Sequence, residues 1–86
     1  MSFLIEYDRQ PEDFLRKLDL HLAKRVKEKV EETLPSNLVP HNAVAIVGEH
    51  GVFRIRVGNW RVLYRINYLQ HKIIIIKIDK RERVYD

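Results

Sequence analysis

VFRIRVGNWRVLYRI, residues 52–66, decides the fold. Apolar and basic side chains alternate on both sides of Gly58-Asn59. Strand side chains point to opposite faces in turn. Gly and Asn both tolerate positive φ, so this pair reads as a two-residue hairpin turn. The register follows: Val57 opposes Trp60, Arg56 opposes Arg61, Ile55 opposes Val62 and Arg54 opposes Leu63. One face then carries Phe53, Ile55, Val57, Trp60, Val62, Tyr64 and Ile66. The other carries Arg54, Arg56, Arg61 and Arg65, with Leu63 among them.

The first face is a core face. The second places like charges opposite each other, which destabilises a sheet. Two readings stand side by side. The arginines pair with acids such as Glu49, Asp79 and Glu82, or they form an anion site whose repulsion a phosphate relieves. Arginine's planar fork of donors suits phosphate oxygens.

Outward from the hairpin, IIIIKI at 73–78 reads as a last strand running to about Lys80. Its four consecutive isoleucines suggest a strand buried on both faces. Before the hairpin, residues 43–47 are apolar and fit a strand or an extended arm. Residues 2–7 alternate as a short first strand. It is free to pair with the last strand. Asp8 caps a helix of about two turns, with Pro11 in its first turn and Phe14, Leu15 and Leu18 as its buried stripe. Asp19 caps a longer helix to about Leu34, with Leu22, Val26, Val30 and Leu34 inward and Leu20 and Ala23 beside them. Its charged face, Lys24 through Glu32, reads as solvated.

The expected fold class is α+β: two N-terminal helices packed on one face of a small, mainly antiparallel β-sheet. At 86 residues the chain is expected to form a single domain, 1–86. Sixteen Lys and Arg against 12 Asp and Glu give a net charge of +4, which favours a polyanionic partner. Cysteine is absent, which excludes disulfides, thiolate zinc sites and a cysteine nucleophile. The three glycines match no phosphate-binding loop, and the four histidines have no metal-ligand spacing. No metal and no cofactor are expected. The apolar runs at 43–47 and 73–76 fall far short of a membrane span. No signal peptide is apparent, so a cytoplasmic protein is expected. His50 beside Glu49 is kept as a candidate acid/base pair.

The charged hairpin FRIRVGNWRVLYRI, the apolar strand and the basic ending KRERVY (80–85) resemble the RelE/ParE toxin superfamily across nearly the whole chain. RelE-like members resemble compact ribonucleases that cut mRNA in the ribosomal A site. ParE-like members inhibit DNA gyrase and lack the dense basic cluster. The resemblance implies a RelE-like toxin of a type II toxin–antitoxin system. Its partners are a RelB-like antitoxin, the ribosome and mRNA, with no membrane and no small-molecule cofactor. It implies catalytic roles for Arg56, Arg61, Arg81 and Tyr85, and substrate binding by Arg54, Arg65, Lys80 and Arg83. Bacterial members usually have lysine where this chain has Arg54 and Arg56, and arginine is a poor general base. The spacing from Arg81 to Tyr85 is also shorter here. Tyr85, Lys80 and His50 all stand as candidates for the base. The alternatives are a ParE-like gyrase inhibitor and a non-cleaving nucleic-acid-binding module.

Overall fold

The computed structural model describes residues 3–80. The elements are β1 (Leu4–Tyr7), α1 (Arg9–Lys17), α2 (Leu20–Thr33), β2 (Val44–Ala45), β3 (Val52–Val57), β4 (Trp60–Asn67) and β5 (Lys72–Lys80). The strands form one sheet in the order β1-β5-β4-β3-β2. All pairs are antiparallel except β1 with β5. Both helices pack on one face, so the fold is α+β as expected.

The helix starts follow from two aspartates. Asp8 accepts from the backbone N–H of Arg9, and Asp19 accepts from that of His21. Each satisfies a donor that the first turn leaves unpaired. Ala23, Val26, Val30 and Leu34 are buried along α2 and its C-cap. Leu20 is not: it is 82% exposed. At about 100° per residue it lies about 120° around the helix from Val26, off the buried stripe.

The core joins this stripe and Leu15 to Ile55, Val57, Val62, Tyr64, Ile66, Ile73, Ile75 and Ile78. Tyr64 is fully buried, and its hydroxyl donates to the Leu38 carbonyl at 2.7 Å. That bond ties the connection after α2 to the sheet. Residues 43–47 contain a strand of only two residues, β2, which pairs with β3.

The isoleucine run behaves differently from expectation. β5 is interior to the sheet, but Ile74 and Ile76 are only half-buried. The reason is that helices cover one face alone. The run also hides a bulge. Leu63 pairs with Lys77 while the next residue, Tyr64, pairs with Ile75, leaving Ile76 without a cross-strand partner. The inserted residue switches the alternation. Ile73, Ile75 and Ile78 are therefore all fully buried, and Lys77 and Asp79 fall on the open face.

At the other edge of β5, β1 stops at Tyr7 opposite Ile75. The Gln10 side chain takes over from it. Its Nε2 donates to the Ile78 carbonyl at 3.0 Å, and its Oε1 accepts from the Ile78 N–H at 2.9 Å. A side-chain amide thus completes the ladder where the strand has ended.

Candidate functional site

The hairpin register is the one the sequence dictates: Val57 with Trp60, Arg56 with Arg61, Ile55 with Val62, Arg54 with Leu63. Gly58 alone of the turn pair has positive φ, 61°. A two-residue turn with glycine first and a left-handed φ matches the right-handed twist of the strands.

The open face of the sheet is therefore ordered in rows. Next to the turn, Arg56, Arg61 and Asp79 lie side by side across β3, β4 and β5. The following row is Val44, Arg54, Leu63 and Lys77. The next is Val52, Arg65, Ile74 and Glu6. Neighbours within a row are about 4.5–5.5 Å apart at Cα. Arg54, Arg56, Arg61 and Lys77 thus converge on one patch, relieved by one carboxylate.

The described acids do not neutralise this patch. Glu49 lies 3.7 Å from Arg65, about four strand residues and so about 13 Å along from Arg61. Glu6 is held by Lys72 at 2.9 Å. Asp79 lies 3.9 Å from Lys77. Among the described residues Arg54, Arg56 and Arg61 make no ion pair within 4.0 Å. The Arg61 Nε–H is buried and lacks an acceptor there. A buried donor left unpaired costs about 1–3 kcal/mol. An anion laid across Arg56 and Arg61 would relieve the repulsion between them.

The other anticipated residues are distributed as follows. Arg65 shares the open face but is turned to Glu49. Lys80 pairs with Trp60, so alternation places it on the helix side of the sheet, away from the arginines. His50 is exposed in the loop before β3, at the end of the hairpin far from Arg61. Arg81, Arg83 and Tyr85, with Glu82, lie outside the described residues. Lys77 and the placement of Asp79 escaped the sequence reading. Four identical isoleucines mark no face, so the sequence carried no signal for the inserted residue.

The described tyrosines with shifted titration are structural. Burial pushes the Tyr64 phenol up to about 12. Burial, the 2.7 Å hydrogen bond to Glu31 and its negative charge push Tyr7 up further. Both stay protonated at neutral pH and sit away from the arginine rows.

Known proteins share this fold. Residues 5–85 match the family described as the ParE toxin of the type II toxin–antitoxin system, parDE. The protein named RelE1 in Methanocaldococcus jannaschii is 34% identical over 88 residues, covering 99% of this chain and 97% of its own. Toxin RelE3 of the same organism is 35% identical over 69 residues, covering 77% of this chain and 76% of its own. In the crystal structure of the archaeal RelE–RelB complex from Pyrococcus horikoshii, a chain 25% identical superposes with a TM-score of 0.81, covering 98% of this chain and all of that one.

Proposed function

Because the chain belongs to the RelE/ParE family of toxins of type II toxin–antitoxin systems, we propose that its arginine face binds mRNA in the ribosomal A site and promotes its cleavage. Translation stops as a result, in the cytoplasm, until an antitoxin of the RelB kind occupies the toxin. The relative from Pyrococcus horikoshii forms a complex with RelB, which supports that partner.

The single observation that carries the reading is the Arg56–Arg61 pair. Arg56 and Arg61 oppose each other across the hairpin, and neither has a carboxylate within 4.0 Å among the described residues. RNA supplies what they lack. Each phosphate has a neighbouring 2′-hydroxyl that attacks it, giving a 2′,3′-cyclic phosphate and a free 5′-hydroxyl. The protein's task is to hold the backbone in line and to stabilise charge on the pentavalent phosphorus. In this scheme Arg56, Arg61 and Arg81 take the charge and Arg54 holds the adjacent phosphate. Arg65, Lys80 and Arg83 contact the strand at the margins, Lys80 from around the end of β5. Tyr85 stacks on a base.

Primer extension on mRNA in programmed ribosomes tests the proposal. Discrete cuts at A-site codons are expected. The matched family is described by its ParE member, which favours one second reading, inhibition of DNA gyrase. Intact mRNA together with loss of gyrase supercoiling would establish that reading instead.

A further inference from the structure

The proposed cleavage needs a proton acceptor for the 2′-hydroxyl, and arginine cannot serve because it stays protonated above pH 12. Five observations among the described residues single out one of them. Asp79 is the carboxylate in the row of Arg56 and Arg61, directly across from Arg61. It reaches that face only because of the bulge at Ile76. With regular alternation from Ile75, Lys77 would point into the core and Ile78 outward, and Asp79 would follow Lys77 to the helix side. Its side chain is 30% exposed, open to a ligand yet partly shielded. Among the described residues its ion pair is with Lys77 Nζ at 3.9 Å, and none within 4.0 Å joins it to Arg61. Of the other described carboxylates on this side, Glu6 is held by Lys72 at 2.9 Å, and Glu49 lies beside Arg65, about 13 Å along the sheet from Arg61.

We propose that Asp79 is the general base of the RNA cleavage. The inference rests on the ribonuclease reading above. An Asp79 oxygen takes the proton of the 2′-hydroxyl as the 2′-oxygen attacks phosphorus. The bond from phosphorus to the 5′-oxygen breaks, and that oxygen leaves as a hydroxyl with a proton from water. Asp79 later returns its proton to solvent. Arg56 and Arg61 bear the charge on the non-bridging oxygens throughout. A carboxylate oxygen can accept a proton, which a guanidinium group cannot.

The test compares wild type, Asp79→Asn and Asp79→Glu for single-turnover cleavage of mRNA in programmed ribosomes. Affinity for a short, uncleavable 2′-deoxy-substituted RNA is measured in parallel, and thermal unfolding reports the fold. Asp79→Asn keeps the shape and removes the base. Its cleavage rate is expected to fall about 10²–10⁴-fold, the usual contribution of general base catalysis. Its RNA affinity is expected to stay equal or to tighten, because a negative charge has left an anion site. Asp79→Glu is expected to recover part of the rate. A folded Asp79→Asn variant that cleaves within about threefold of wild type overturns the inference, as does a rate loss matched by an equal loss of RNA affinity. Wild-type protein that leaves mRNA intact fails at the control, and so overturns the ribonuclease reading and this inference with it.

Discussion

Gln10 offers the sharpest probe of how the helices hold the candidate site in place. Its amide makes two hydrogen bonds to the backbone of Ile78, at 3.0 and 2.9 Å, just beyond the point where β1 ends. Ile78 lies between Lys77 and Asp79, so this clamp fixes the segment that presents both. Gln10→Ala strips both bonds. Each is worth about 0.5–1.5 kcal/mol net, and a buried group left unpaired costs about 1–3. Both are only partly buried, so water makes up some of the loss. A total of about 1–3 kcal/mol is expected, after a few tenths are returned by alanine's better helix propensity. For a domain of this size each kcal/mol lowers Tm by about 4–8 °C. Thermal unfolding should therefore fall by about 5–20 °C. The local effect is more telling. The Ile78 amide should exchange with solvent about 10–100-fold faster by native-state hydrogen exchange, while the Val62 amide changes only by the global loss of stability. Gln10→Glu should do no better, since it loses the donor to the Ile78 carbonyl and sets a carboxylate against it. A Gln10→Ala protein with unchanged Tm and a protected Ile78 amide would refute the reasoning.

Arg56→Ala should raise stability by about 0.2–1 kcal/mol at low salt, because it removes the charge opposite Arg61. Urea denaturation should show the gain shrinking as salt rises, while affinity for RNA drops. RNA binding itself should weaken with salt along a log–log slope of about −2 if Arg54, Arg56 and Arg61 each neutralise one phosphate of a single strand. Fluorescence titration across a salt series measures this. Tyr64 shares the alkaline limb of stability with Tyr7. Its phenol stays neutral in the fold up to about 12, whereas in the unfolded chain it ionises from about pH 10. Its contribution to stability is thus intact below pH 10 and declines by about 1.4 kcal/mol per pH unit from there toward 12. Denaturation of Tyr64→Phe at pH 9, 10 and 11 should show this decline reduced.

The hairpin was legible because every element of its reading is local. Gly58-Asn59 fixes the turn, the turn fixes the register, and alternation then assigns each of residues 52–66 to a face. The helix starts were legible for the same reason, since Asp8 and Asp19 act on backbone groups one or two residues away. What escaped depends on contacts distant in sequence. The sense of β1 against β5 is not encoded in either strand. The bulge was hidden because four identical isoleucines give no polar residue to mark a face, so Lys77 and Asp79 could not be assigned to one. Leu20 is apolar and adjoins the stripe in sequence, but helical geometry sets it about 120° around α2 from Val26 and leaves it exposed. The division of the arginines into paired and unpaired also lies beyond alternation. Arg65 meets Glu49 because the loop ahead of β3 folds back toward β4, where the Ile66 N–H donates to the Gly51 carbonyl at 3.0 Å.

The central claim is that the Arg56–Arg61 row acts on mRNA. It is tested most directly by single-turnover cleavage in programmed ribosomes with wild type, Arg61→Ala, and Lys24→Ala as a control on the solvated face of α2. Loss of a transition-state donor costs about 10²–10³-fold, so Arg61→Ala should fall by that factor, with its cut sites unchanged, while Lys24→Ala cleaves like wild type. Equal rates for Arg61→Ala and wild type would contradict the account.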